Sequence, residues 1–421
     1  MKTDMVTPDP PYYVKGLALG IPAILLGLQI SGWLFFLPGA LHGYADFRHL
    51  YTAGFMVRSG HAHELYDYDT QKSFQDALVS REEIAMPFNH LAYEALLFIP
   101  FSLLPYRTAY CAFLAVNLVL LAISFRLLRP RLDNLAGVWR WLPAAMFLGF
   151  LPIAAALMHG QDSILLLTLL AAAVVALGQG RELTAGVLVG LGLFKFQIVI
   201  PIALLFLAWR RWRFSAGFAL SGAVVGAGSL WLVGRAQVVV YSRSLISMSV
   251  SGSHLDRFRY GIYPGVMPNL RGLISGLAGP HLPVFWIQAA TFALSGLTLL
   301  WVKTRAPWRQ QGANALLLAI TAGAVVSYHL YIHDMSVLLI PIAVKLNEFI
   351  GAEATGDRGG RLIARASALM FAAPACMSFI PSHFYVVSLP LLAFLFAITA
   401  VGRDYQPLSG RGHRTPGFAG V

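Results

Sequence analysis

The stretch GLALGIPAILLGLQISGWLFFL, residues 16–37, contains no charged side chain. A helix of this length is long enough to cross the roughly 30 Å hydrocarbon core of a bilayer. The run follows Lys15 and is too long for the central segment of an ordinary signal peptide, so we expect an uncleaved first membrane helix. Similar apolar runs recur along the chain. They predict an all-α membrane bundle of about twelve spans.

Working outward from the first helix, we place spans at 16–37, 108–128, 141–157, 162–178, 184–195, 197–209, 214–233, 284–302, 313–330, 335–347, 362–380 and 384–401. The segments 184–195 and 197–209 are each too short to cross a bilayer. We expect them to be half-helices that meet inside the bundle. The whole chain, 1–421, is then a single membrane domain.

The composition agrees with a membrane protein, since 57% of the residues are hydrophobic and 12% are charged. A soluble domain has about 25% charged residues. The net charge of +12 would suggest nucleic acid as a partner of a soluble protein. Here the basic residues lie in short gaps between apolar runs, so we expect no nucleic-acid partner. The only two cysteines, Cys111 and Cys376, lie in apolar runs, which argues against a disulfide framework.

The basic residues also predict an orientation. With a cytoplasmic N-terminus, 20 of the 31 Lys and Arg residues fall on the cytoplasmic side and 10 on the outer side. We therefore expect a bacterial inner-membrane protein with outer loops at 41–107 and 234–283, and a disordered cytoplasmic tail at 402–421. The apolar stretch Phe88–Leu104, interrupted by His90 and Glu94, is expected to form a helix on the membrane surface.

Charged residues beside or within apolar runs are candidates for function, because each costs about 2.5–3.5 kcal/mol to insert in a bilayer. Asp46 follows the first helix closely. It is either a carboxylate that points into a cavity or a solvated loop residue. Lys195 lies between two short apolar runs. It either extends its amine to the membrane surface or neutralises an anionic group of a ligand.

His329 and His333 are four residues apart, and Asp334 follows them. On a helix this spacing places both rings on one face. A zinc protease has Glu directly after the first histidine, whereas this chain has Leu330. The remaining interpretations are buried histidines held by hydrogen bonds, or groups that bind phosphate or move a proton.

Asp67-Tyr68-Asp69 in the first outer loop is a pattern that can hold a divalent metal together with substrate phosphates. The same residues are equally compatible with a structural turn. Because three-residue patterns are common by chance, we expect no metal and no other cofactor.

The sequence Asp46-Phe47-x-x-Leu50-Tyr51-x-Ala53-Gly54, followed by Gly60 and Leu65-Tyr66-Asp67, resembles the opening of glycosyltransferase family 87. Four later segments are also similar to that family: Pro87-Phe88 with Leu96–Pro105, Gly160-Gln161, Ala185-Gly186 through Lys195, and Arg210-Arg211-Trp212. The resemblance covers residues 16–345. One departure is Asn89-His90-Leu91, where the family commonly has consecutive prolines.

The resemblance implies a C-type transferase that uses a polyprenol-phosphate-linked sugar, typically mannose, on the outer side of the membrane. The family's acidic residue after the first helix corresponds to Asp46, as catalytic base. Its late-bundle histidine corresponds to His329 or His333. Positive or hydrogen-bonding groups are needed around the donor phosphate. The candidates for binding the substrate are Gln161, Lys195, Arg257, Arg259, His329, His333 and Asp334.

The expected reaction moves a hexosyl group, mannose by the resemblance, from a polyprenol-phosphate donor to a hydroxyl of a lipid or glycan acceptor. Attack from the face opposite the phosphate would invert the anomeric centre without a second carboxylate. The alternative is a transporter or flippase of a lipid-linked or small anionic substrate, which would also place charges in mid-bundle. A structural membrane partner is a third possibility. The long acidic loop after the first helix favours the transferase.

Overall fold

The computed structural model describes residues 12–250, 262–279, 282–305, 312–350 and 357–401. These residues form helices and connecting turns, without a strand in any of the five ranges. The α-helices are α1 Tyr12–Gly39, α2 Phe47–Arg58, α3 Tyr68–Leu78, α4 Ala95–Phe98, α5 Tyr106–Leu128, α6 Asp133–Val138, α7 Leu142–Gly149, α8 Leu151–Met158, α9 Ser163–Gly178, α10 Glu182–Leu191, α11 Phe196–Ala208, α12 Trp212–Val250, α13 Leu270–Ala278, α14 Val284–Arg305, α15 Ala313–Val326, α16 Leu339–Phe349, α17 Arg358–Ala372 and α18 Ser388–Phe396. The all-α prediction is confirmed for this part of the chain.

Six helical segments are long and apolar enough to cross a membrane: Ala23–Arg58, Tyr106–Arg131, Glu182–Ala208, Trp212–Ser247, Val284–Arg305 and Pro381–Ala400. Two shorter apolar helices, α9 and α15, accompany them. The protein is therefore an integral membrane protein by the length and composition of its helices. The count of about twelve spans stays a prediction.

The predicted pair of half-helices forms one interrupted span. Helices α10 and α11 are joined by a 3₁₀ turn over Gly192–Lys195, and together they give the apolar segment Glu182–Ala208. The break occurs where Lys195 leaves the helical region (φ −111°, ψ 53°). The half-helices do meet, but they are not two separate spans. This arrangement places Lys195 inside the bundle.

One other sequence-based expectation is wrong, and one boundary is confirmed. The stretch predicted as a helix over Phe88–Leu104 contains only α4, with 3₁₀ turns at Ala92–Glu94 and Phe101–Leu103. It packs into the protein, and Glu94 is completely buried. The span predicted to end at residue 233 does so, because the backbone leaves helical geometry at Gly234 (φ 77°, ψ 167°). A second helical stretch within α12 continues from this kink to Val250, inside the predicted outer loop 234–283. Glycine adopts this positive φ without steric cost, which is why the kink lies here.

The core consists of two apolar clusters. The larger one is formed mainly by α7 to α11 and α15 to α18. The smaller one surrounds Phe47 at the start of α2, whose ring stacks on Phe113 at 5.2 Å between centroids. The backbone N–H of Phe47 donates to the carbonyl of His159 at 3.0 Å. This bond fixes the segment after the first helix against the end of α8.

Candidate active site

A cavity of about 370 Å³ lies where the segment between α1 and α5 and the residues around α13 meet the ends of α8, α10 and α15. Every described residue that the sequence had singled out for the site lines this cavity: Asp46, Gln161, Lys195, His329, His333 and Asp334. Arg257 and Arg259, the other two candidates, lie outside the described residues. Residues more than 280 positions apart in the chain are thus brought to one place.

Asp46 is the partly accessible carboxylate of the site, with 28% of its side chain exposed. It stands between the turn after α1 and the first residue of α2. Its Oδ2 accepts a hydrogen bond from Gln161 Nε2 at 2.7 Å and lies 3.5 Å from His159 Nδ1. The carboxylate is therefore held by neighbouring side chains and still faces the cavity.

Gln161 is positioned by the sharp turn between α8 and α9. Gly160 has φ +59°, and a Cβ at this residue would lie 2.7 Å from Phe47 Cβ, so the turn requires glycine. While Gln161 Nε2 donates to Asp46, its Oε1 accepts from Lys195 Nζ at 3.0 Å. The Gln161 amide consequently links the accessible carboxylate to a buried ion cluster.

Lys195 forms the centre of that cluster. Its Nζ lies 3.0 Å from Asp162 Oδ1 and 3.2 Å from Asp334 Oδ1, and its side chain is 5% exposed. Asp334 is itself held, because its Oδ2 accepts from the backbone N–H of Tyr331 at 3.1 Å. The amine does not extend to the membrane surface, since it is surrounded by these partners. That Lys195 also binds a donor phosphate stays a prediction.

The two histidines do not share a helical face, so this expectation is wrong. Helix α15 ends at Val326, and Ser327 turns the chain to extended geometry (φ −51°, ψ 131°). His329 lies in the irregular segment that follows, whereas His333 begins a 3₁₀ turn over His333–Leu338. Burial lowers the pKa of His329, and the nearby Asp334 only partly offsets this, so the neutral ring is favoured.

A second group in the site was missed by sequence reasoning. His90 Nδ1 contacts Glu94 and lies 3.3 Å from Asp162 Oδ2. The Tyr93 hydroxyl donates to the carbonyl of Leu191 and accepts from the N–H of Phe194, both at 2.9 Å. These bonds hold the short turn that carries Glu94 against the Lys195 turn. The signal was present, because an acidic residue within an apolar stretch is costly unless it is paired.

Burial and a neighbouring carboxylate change the acidity of this group. Burial raises the pKa of Glu94, and the nearby Asp162 carboxylate raises it further, although His90 lowers it in part. Burial alone would lower the pKa of His90, but the two carboxylates raise it above its ordinary value. Both shifts favour the protonated form, so a proton held between His90 and Glu94 is favoured.

Two further residues of the site, His159 and Arg271, were not among the sequence candidates. The His159 ring lies 6.2 Å from the His333 ring, in addition to its contact with Asp46. Arg271 lines the cavity, with its guanidinium 4.0 Å above the Tyr328 ring and Nη1 donating to the Tyr328 carbonyl at 3.1 Å. A histidine beside Gly160-Gln161 was visible in the sequence, but its contact with Asp46 was not.

Asp67 and Asp69 do not line this cavity. The side chain of Asp67 accepts from the N–H of Thr70 at 2.8 Å and caps the N-terminus of α3. Asp69 lies in the first turn of the same helix, where a negative charge is favoured by the helix dipole. The geometry thus favours the structural interpretation of this pattern.

Comparison with known proteins agrees with this description. No curated protein and no solved structure matches the chain significantly. Residues 93–332 match the model of Glycosyltransferase family 87. This range is more than half of the chain and contains Gln161, Lys195 and His329, while Asp46 precedes it. The resemblance seen in the sequence is thereby confirmed, and the protein belongs to glycosyltransferase family 87.

Proposed function

We propose that this glycosyltransferase moves a hexosyl group, mannose, from a polyprenol-phosphate donor to a hydroxyl of a lipid or glycan acceptor. One observation carries the proposal: Asp46 is a partly exposed carboxylate of the cavity, whereas Asp334, the other acidic residue that lines it, is buried and paired with Lys195. Glu94 and Asp162 lie near the cavity without lining it and are each at most 1% exposed. The site therefore offers one carboxylate to a reacting hydroxyl.

In the proposed reaction Asp46 acts as the general base. Gln161 Nε2 donates to Oδ2, which fixes the plane of the carboxylate. The acceptor hydroxyl transfers its proton to Asp46 as its oxygen bonds to the anomeric carbon. The bond from that carbon to the phosphate oxygen breaks, and polyprenol phosphate leaves with the electron pair. Attack opposite the phosphate inverts the anomeric centre, so one carboxylate is sufficient.

The leaving phosphate needs positive charge or hydrogen-bond donors around it. Arg271 brings a permanent positive charge to the cavity wall, and His329 and His333 bring imidazole rings. Lys195 contributes its charge from behind Gln161, since its amine is held by two carboxylates. Arg257 and Arg259 remain proposed phosphate ligands on the strength of the sequence.

We place the reaction at the periplasmic face of a bacterial inner membrane. The support is the distribution of basic residues, which assigns 41–107 and 234–283 to the outer side. Both segments contribute to the cavity, through residues such as Asp46, His90 and Arg271. A C-type bundle of about twelve spans, with the donor lipid in the outer leaflet, is part of this proposal.

The test is transfer from a radiolabelled donor by membranes that contain the full chain. Polyprenol-phosphate-mannose and polyprenol-phosphate-glucose are supplied in parallel, and labelled product is separated from donor. Membranes with the Asp46→Asn variant at equal expression are the matched control. We expect wild-type membranes to cleave the mannosyl donor and label a new product. Intact donor moved across sealed vesicles without cleavage would instead identify a transporter.

A further inference from the structure

We propose that His90, Glu94 and Asp162 form a binding site for one divalent transition-metal ion. Each residue offers one ligand atom, and the three atoms lie within 4.8 Å of one another. Ligands of one such ion, bound at about 2.0–2.2 Å, lie within about 4.4 Å of one another. A small adjustment of the side chains therefore brings all three atoms into coordination.

The charges of the region are compatible with a bound divalent cation. Three carboxylates, from Glu94, Asp162 and Asp334, are at most 1% exposed, and Lys195 is the lysine that pairs with two of them. With all three ionised, two negative charges remain in a poorly solvated place, where uncompensated charge is costly. Without a metal, protons on His90 and Glu94 cancel both. A divalent cation also cancels both, with Glu94 ionised and His90 neutral, as metal ligands must be.

An unsatisfied atom points to the same place. Glu94 Oε1 is buried and accepts no hydrogen bond from any described residue. A buried carboxylate oxygen normally has a partner, because the lost hydration is not recovered otherwise. The two oxygens of Asp162 have different neighbours: Oδ1 lies near Lys195, and Oδ2 lies near His90. A metal at Oδ2 would leave the Lys195 ion pair in place.

The ligand set indicates the kind of ion. One imidazole and two carboxylates suit Zn²⁺ or Mn²⁺ better than Mg²⁺ or Ca²⁺, which prefer oxygen ligands alone. His90 has 13% of its side chain exposed and lines the cavity, so an ion and its water ligands have a path from outside. The proposal departs from the sequence-based expectation of no metal, which was argued from Asp67 and Asp69. The proposed site is a different one.

The experiment measures metal content and does not depend on the proposed sugar transfer. Full-length protein in detergent, with its affinity tag removed, is stripped with a chelator, reloaded with Zn²⁺ or Mn²⁺ and desalted. Elemental analysis should then find about one ion per wild-type chain. Glu94→Gln and Asp162→Asn should hold at least about tenfold less, because each loses a charged ligand. Asp69→Asn, the matched control, should bind as the wild type does.

Thermal unfolding of wild-type protein is the second measurement, since a variant that fails to fold is uninformative. A ligand that binds the folded state raises the unfolding temperature. We expect added Zn²⁺ or Mn²⁺ to raise it for the wild type and for Asp69→Asn. Metal content equal in wild type and Glu94→Gln, or a wild type without bound metal and without this shift, would overturn the site. Sugar transfer by such metal-free protein would leave the proposed function intact.

Discussion

Replacing Lys195 with methionine tests whether this lysine is a counter-ion of buried carboxylates or only a ligand of the donor phosphate. The methionine side chain is similar in length but has no charge. In the variant, Asp162 and Asp334 lose the ammonium that lies 3.0 and 3.2 Å from them. Their side chains are only 2% and 1% exposed, so water does not replace it. Breaking a buried ion pair in this way typically costs about 3–5 kcal/mol. We therefore expect Lys195→Met to lose stability as well as activity.

The expected shift in unfolding temperature follows from the size of the chain. An unfolding entropy of about 2.1 cal/mol/K per residue gives about 0.9 kcal/mol/K for 421 residues, so the loss corresponds to about 3–6 °C. Differential scanning fluorimetry on detergent-solubilised protein without donor measures it. The double variant Lys195→Met with Asp334→Asn should recover part of the loss, because one uncompensated charge is removed.

Lys345→Met is the matched control. Lys345 Nζ lies 2.6 Å from Glu348 Oε2, but 35% of the Glu348 side chain is exposed. Exposed carboxylates are hydrated when they lose a partner, so this pair contributes about 1 kcal/mol or less. An inactive Lys195→Met protein with wild-type unfolding temperature would refute the counter-ion role. Lys195 would then act on the substrate alone.

Two further predictions concern the base and the orientation. Asp46→Asn should fold normally, because an amide oxygen still accepts the hydrogen bond from the neighbouring glutamine; the transfer rate should fall about 10²–10⁴-fold, the usual contribution of a general base. Transfer at the wild-type rate would remove that role. For the orientation, Cys111 and Cys376 are replaced by serine, and single cysteines are placed at the exposed positions Ser59 and Gln179. An impermeant thiol reagent should label Ser59→Cys in intact cells and Gln179→Cys only after lysis; the opposite pattern would reverse the membrane topology.

The sequence by itself determined the class of the protein and predicted six of the residues that line the cavity. The length of an apolar run and the cost of an ion within it are local properties, so they can be read without a fold. This is why Asp46, Lys195 and His333 were recognised as candidates. The family resemblance was also local, because it depended on short motifs in order along the chain.

Only the tertiary structure decided which of these residues touch. A four-residue spacing predicts a shared face if the helix continues, and α15 ends three residues before His329. Likewise, the sequence predicted that two short apolar runs meet inside the bundle, but only the structure shows that the turn at Gly192–Lys195 joins them into one span. Boundaries of this kind depend on packing against the rest of the bundle, which a single segment does not encode.

The meeting of His90 and Glu94 with Asp162 was the least predictable part of the site. They come from the segment between α3 and α4 and from the loop before α9, about seventy residues apart in the chain. The Tyr93 hydroxyl fixes their approach by bonding to Leu191 and Phe194, contacts that no sequence pattern specifies. Because burying an unpaired carboxylate costs free energy, an acidic residue in an apolar stretch indicates that a partner exists. Which partner it finds is set by how the helices pack.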